Sequence, residues 1–113
     1  MKDVLGKEVD VVVDRAIGSV HPTHPDIVYS LNYGYVPGVW AGDGEEQDAY
    51  VMGVREKISR FHGRVIAVIH RLDDNEDKWV VAPAGEMFAK DEIRRATWFV
   101  ERYFTSEIEV YHG

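Results

Sequence analysis

At 113 residues, with no cysteine, 45% hydrophobic residues and a formal charge of −7, the chain has material for a modest core and none for a disulfide framework or a thiolate zinc site. The acidic balance argues against a general binder of nucleic-acid backbones or of anionic membrane surfaces. No apolar run approaches a membrane span, and the first seven residues lack the apolar core of a signal peptide, so the expectation is one domain over residues 1–113, cytoplasmic, with neither membrane nor nucleic-acid partner.

From Lys7 to Arg15, Val9, Val11 and Val13 alternate with Asp10, Val12 and Asp14, which predicts a half-buried strand. The prolines of His21-Pro-Thr-His24-Pro exclude regular helix and predict an extended loop. His21 and His24 are either ligands for a metal or phosphate or plain surface histidines, the commoner outcome. Ile27–Leu31 is a short apolar run that reads as a strand. The Tyr33-Gly34-Tyr35 segment after it reads as an aromatic loop that buries ring area.

The stretch Asp43-Gly-Glu45-Glu46-Gln-Asp48 carries four carboxylates within six residues. Two carboxylates about 5 Å apart repel by roughly 3 kcal/mol at an effective dielectric near 20. The chain must splay them into water or hold a cation between them, and oxygen-only donors suit hard ions such as Mg²⁺, Mn²⁺ or Ca²⁺. The spacing rejects an EF-hand, because Asp48 sits where that loop needs glycine and no helix pattern precedes it. Gln47–Val54 is strand-like and places Asp48 on one face with Tyr50 and Met52. An ionised carboxylate there needs a partner, a cation, or a solvent-side position at the strand end.

Arg64–His70 is almost wholly apolar and β-branched, as in a strand buried on both faces. Residues 73–77 form an acidic turn, and Lys78–Pro83 a second strand, so the pair predicts a hairpin. Lys90–Phe104 is the one clear helix. Asp91 and Glu92 suit its first turn, its apolar stripe is Ile93, Ala96, Val100, Tyr103 and Phe104, and Ala89 is a poor N-cap. Ser106–Tyr111 reads as a last short strand or a tail. Short strands followed by one helix predict a mainly β, α+β domain: a small antiparallel barrel or sheet with the helix packed on it.

The central stretch resembles the soluble family I inorganic pyrophosphatases, whose D-x-D-P-x-D signature follows an N-Y-G-Y segment. Here Asn32-Tyr33-Gly34-Tyr35 precedes Asp43-Gly-Glu45-Glu46-Gln-Asp48, the acidic turn leads to Lys78 and Val-Val-Ala-Pro, and the helix ends Phe99-Val-Glu-Arg-Tyr103. The resemblance implies an OB-like, five-stranded barrel with a flanking helix, a homo-oligomer, and Mg²⁺-dependent hydrolysis of pyrophosphate or a related phosphoanhydride, with Mn²⁺ as the other candidate ion. It implies Asp43 and Asp48 as metal ligands, joined by Asp77 with Asp73 or Asp74 assisting; Glu76 is the choice of a gapless alignment. It gives Glu45 the general-base position and makes Tyr33, Lys78 and Tyr103 the phosphate-side contacts.

Departures from the family pattern qualify that expectation. Glu45 is one methylene longer than the signature aspartate, Glu46 replaces its proline, and Phe104 replaces the basic residue after the C-terminal tyrosine. The N-terminal strand offers Asp10 and Val12 where the family carries a lysine and a carboxylate, and the family's arginine upstream of the Tyr-rich segment is missing, with His21 near its place. A depleted cationic clamp beside retained carboxylates leaves two readings: a phosphoanhydride hydrolase, or a related domain that binds metal or a phosphorylated ligand in a regulatory role without efficient turnover. An OB-fold reading nucleic acid is disfavoured by the net charge.

Overall fold

The computed structural model describes residues 4–74 and 76–113, so Asn75 of the acidic turn lies outside the described residues. In chain order the elements are β1 (Glu8–Arg15), β2 (Asn32–Trp40), β3 (Glu46–Val51), β4 (Arg60–Arg71), β5 (Asp77–Ala82), α1 (Lys90–Glu101) and β6 (Ser106–Val110). The strands run β1-β2-β3-β5-β4-β6 in space, and a further β1–β4 pairing closes the first five into a barrel. Its seams are antiparallel apart from β3–β5, which is parallel. Strand β4 is 12 residues long and carries β5 along one edge. Its other edge takes β1 on Arg60–Arg64 and β6 on Ala67–Arg71.

Alternation divides the apolar residues into two layers. Val11, Val36, Ala49, Val51, Val65, Val68, Trp79 and Val81 come from all five barrel strands and fill the interior. Tyr50, Ile66, Ala67, Ile69 and Val80 face outward and are covered by Ile93 of α1 and Ile108 of β6. A bulge between Val65 and Ala67 lets Val65 and Val68 both point inward although they are three apart. That is why β4 reads as a continuous apolar run.

Gly34 sits where β1 crosses β2, and a Cβ there would run into the carbonyl oxygen of Val12. Close backbone approach therefore requires the glycine of the Tyr33-Gly34-Tyr35 segment. Pro37 falls at the irregularity between Val36 and Trp40, where no ladder donor is lost.

Three local expectations are corrected. Tyr33-Gly34-Tyr35 is part of β2, not a loop. Ile27–Leu31 makes only an isolated Val20–Val28 bridge, because its backbone pairs with residues 18–21 of the proline-rich loop instead of joining the barrel. The helix ends at Glu101, and its buried stripe is Ile93, Thr97 and Glu101. Ala89 gives no side-chain cap; the Glu92 carboxylate accepts its N–H at 2.8 Å instead. Among the described residues no helix is long and apolar enough to cross a membrane.

Candidate functional site

Asp48 leaves β3 on the outer face, beside Tyr50, where an unpaired carboxylate would be costly. Lys78 supplies the partner. The parallel register sets Ala49 opposite Trp79, bringing residues 48 and 78 side by side. Lys78 Nζ lies 2.6 Å from Asp48 Oδ2 and 2.9 Å from Glu76 Oε1, and donates to the Tyr33 hydroxyl at 3.3 Å. The lysine is 4% exposed. Burial opposes its charge, but Tyr33, Asp48 and Glu76 outweigh it and raise its pKa above the ordinary lysine value. Burial also pushes the Tyr33 phenol up, against the pull of Lys78, so Tyr33 stays a neutral hydroxyl.

Where α1 stops covering the outer face, a cavity of about 480 Å³ opens over this cluster. Tyr33, Asp48 and Lys78 line it, with Arg15 from the end of β1, Arg71 from the end of β4, and Tyr103 and Phe104 beyond α1. His21, His24 and Asp26 of the proline-rich loop line it as well. In a chain of net charge −7, the permanent cations Arg15, Arg71 and Lys78 share one concavity.

Those cations are not equally free. Arg71 Nε and Nη2 donate to the Glu101 carboxylate at 3.0 and 2.7 Å, and Nη1 donates to Asp74 at 3.2 Å. Tyr50 donates to Glu101 at 2.7 Å, and Glu101 is 1% exposed. This buried ion pair locks α1 to the barrel, and Arg71 is a structural cation first. Arg15 differs: it donates to the Tyr29 hydroxyl and lies 5.6 and 5.7 Å from the Tyr29 and Tyr33 ring centroids. Among the described residues no carboxylate lies within ion-pair distance of it.

Of the residues singled out from sequence, Tyr33, Asp48, Lys78 and Tyr103 meet on this cavity, and Tyr103 donates to Asp26 at its mouth, at 3.2 Å. Asp43 and Glu45 occupy the exposed β2–β3 turn, where Asp43 Oδ1 accepts the Glu45 N–H at 2.9 Å, and neither lines the cavity. Asp73 accepts the Thr105 N–H at 3.1 Å. Asp77, next to Lys78 on β5, points to the opposite face and pairs with His70 at 3.0 Å. Among the described residues no group of three or more His, Asp or Glu side chains converges as a metal cage. Asp48 and Glu76, the acidic residue of the gapless alignment, meet at the Lys78 ammonium, while Asp43, Asp73 and Asp77 make other contacts.

The sequence reading missed Arg15 and Arg71 as cavity residues, and found the cationic clamp more depleted than it is. Their one local signal is that each basic residue ends an apolar or alternating strand. Phe104, read as a lost phosphate contact, instead supports Arg71, whose guanidinium carbon lies 3.7 Å from the ring centroid.

The family model described as inorganic pyrophosphatase matches residues 6–111. No curated protein shows a significant match to the chain. Among solved structures, the inorganic pyrophosphatase from Ehrlichia chaffeensis is similar at TM-score 0.71 and 19% identity, covering 96% of this chain and 88% of that one. That from Neisseria gonorrhoeae is similar at TM-score 0.67 and 23% identity, covering 89% and 76%. That from Thermus thermophilus gives 0.61 and 16% identity, covering 96% and 83%.

Proposed function

Because the chain belongs to the inorganic pyrophosphatase family, we propose that its outer-face cavity binds pyrophosphate or a related phosphoanhydride and hydrolyses it to phosphate. The observation that carries this reading is the gathering of Arg15, Arg71 and Lys78 around one concavity beside the Asp48 carboxylate. A polyanion needs neutralising charge before any nucleophile can approach its phosphorus.

Lys78 exchanges partners in this reading. A phosphate oxygen takes over its ammonium, and the Asp48 carboxylate so released accepts a proton from a water in the cavity. The water oxygen forms a new bond to phosphorus. The bridging P–O bond breaks with its electron pair on the leaving phosphate, whose charge Arg15 offsets, while the Tyr33 and Tyr103 hydroxyls orient the ligand. Glu45, to which the resemblance gives the base role, is the competing acceptor and would have to approach from the β2–β3 turn. Mg²⁺ or Mn²⁺ would be held by Asp48 and Glu76, which already meet at Lys78, joined by Asp43 and by Asp77 or Asp73, and would supply neutralising charge to the substrate; no step here depends on one.

A second reading, ligand binding with little turnover in a regulatory role, is favoured by the position of Asp43 and Glu45 outside the cavity. Release of phosphate from pyrophosphate by the purified protein, assayed with and without Mg²⁺ and beside Lys78→Met, separates the two. Lys78-dependent release supports the enzyme; saturable pyrophosphate binding without release supports the second reading. A homo-oligomeric state and a cytoplasmic location are further parts of the proposal, open to sedimentation and to fractionation of cells.

A further inference from the structure

Asp26 has no role in the hydrolytic scheme, yet it sets a carboxylate at the mouth of a cavity read as a polyanion site. Its own turn fixes it there. Pro25 and Asp26 are the central residues of a turn closed by the Ile27 N–H, which donates to the His24 carbonyl at 2.9 Å, and proline presets the backbone at the first of them. Ile27 is buried and its carbonyl accepts the His21 N–H at 2.9 Å, so the exposed Asp26 stands on an anchored loop. From 77 residues along the chain the Tyr103 hydroxyl donates to the Asp26 carboxylate at 3.2 Å, and Arg102 donates to that hydroxyl at 3.0 Å. A neutral hydroxyl positions the carboxylate without cancelling its charge, and among the described residues no cation lies within ion-pair distance of Asp26.

The floor of the cavity has the opposite sign: Lys78 and Arg71 are buried, while Asp26 and the half-exposed Tyr103 stand nearer solvent. The field of Asp26 reaches inward, since burial, Arg15 and His24 lower the His21 pKa and Asp26 opposes them. A ligand lodged by one anionic end over the buried cations leads its other end past this carboxylate. We propose that Asp26 is a specificity-determining residue that restricts the site to a short phosphoanhydride, by repelling any further phosphate that emerges past Tyr103. The inference rests on the reading of the cavity as a phosphoanhydride site and adds the class of ligand it rejects, linear polyphosphates of three or more phosphates. A like charge met at a partly solvated mouth weakens binding by about three- to tenfold, and salt screens the effect.

The test is calorimetric titration of the full chain with pyrophosphate and with tripolyphosphate at one Mg²⁺ concentration, read as the ratio of the two dissociation constants. The parent is expected to favour pyrophosphate. Asp26→Asn keeps an acceptor for Tyr103 and removes the charge, so it should tighten tripolyphosphate about three- to tenfold more than pyrophosphate. Asp26→Glu should restore the parent's preference, and the difference between the parent and Asp26→Asn should shrink as salt rises. A loop merely loosened by the substitution changes both ligands alike and leaves the ratio where it was. An unchanged ratio in folded Asp26→Asn, or a parent that takes tripolyphosphate as tightly as pyrophosphate, overturns the proposal and leaves the phosphoanhydride reading in place. A parent that binds neither probe overturns the proposal together with the reading beneath it.

Discussion

The guanidinium of Arg71 stacks on the ring of Phe104, 3.7 Å from its centroid, while the Glu101 carboxylate grips the guanidinium edge at 2.7 and 3.0 Å. A strand end, a helix end and the residue after the helix are joined at one planar cation. Removing one member of a buried pair leaves the other charge unpaired, at a cost of about 3–5 kcal/mol. Glu101→Gln and Arg71→Met are expected to lose that much in urea unfolding. Tyr50→Phe, which removes one hydrogen bond to the charged Glu101, should lose about 1.5–3 kcal/mol. Variants within 1 kcal/mol of the parent would show that the pair is not what fixes the helix.

Gly34→Ala tests the β1–β2 crossing. The added methyl meets the Val12 carbonyl, part of the backbone, which cannot move aside as a side chain would. A loss of at least about 3 kcal/mol is expected, at the upper end for overpacking. A chemical denaturation midpoint equal to the parent's would show that the strands can separate here without penalty.

The two candidate proton acceptors differ in where they sit. Asp48→Asn is expected to lower phosphate release by about 10²–10⁴, the scale of general-base loss. Glu45→Gln should lower it by less, since Glu45 does not line the cavity. Single-turnover assays at saturating pyrophosphate give the ranking. The reverse order would hand the role to Glu45 and mean that the β2–β3 turn folds over the ligand.

His62 on β4 donates toward Asp10 at 2.8 Å and Glu8 at 3.0 Å on β1, across the seam that closes the barrel. Hydrogen bonds to Asp10 and Glu8 raise its pKa above the ordinary histidine value. A raised native pKa contributes stability that is whole below the unfolded value of about 6.5 and fades as pH rises through the native one. The melting temperature of the parent should therefore exceed that of His62→Asn by a small margin near pH 6, and the margin should close toward pH 9. A margin that grows with pH would reverse the assignment.

Elements defined by local pattern were legible: the alternation of β1, the apolar run of β4, the acidic hairpin to β5 and the helix starting at Lys90. The pairing of Asp48 with a cation was also foreseeable, because Asp48 shares an apolar face with Tyr50; that the cation is Lys78 was not. Lys78 reaches it through a parallel seam between strands separated by β4, and no local pattern encodes such a neighbour. Arg15 and Arg71 escaped for the same reason, since each reaches the cavity by ending a strand whose interior pattern dominates the reading. Tyr33-Gly34-Tyr35 was read as loop because strand propensity is low at glycine, and the gain in backbone approach to Val12 is visible only in three dimensions.

The seam between β3 and β5 also sets the order in which the molecule can be made. Hairpins β2–β3 and β4–β5 can form from chain neighbours, but β3 meets β5 only after β4 has turned back, and β1 closes on β4 across most of the barrel sequence. Pairings of such separation carry the largest loop-closure entropy and come late. Asp48 and Lys78 belong to different hairpins and become neighbours only at that late step. The Asp48–Lys78 pair therefore exists only where the β3–β5 seam has formed, and loosening that seam separates the cavity's carboxylate from its lysine.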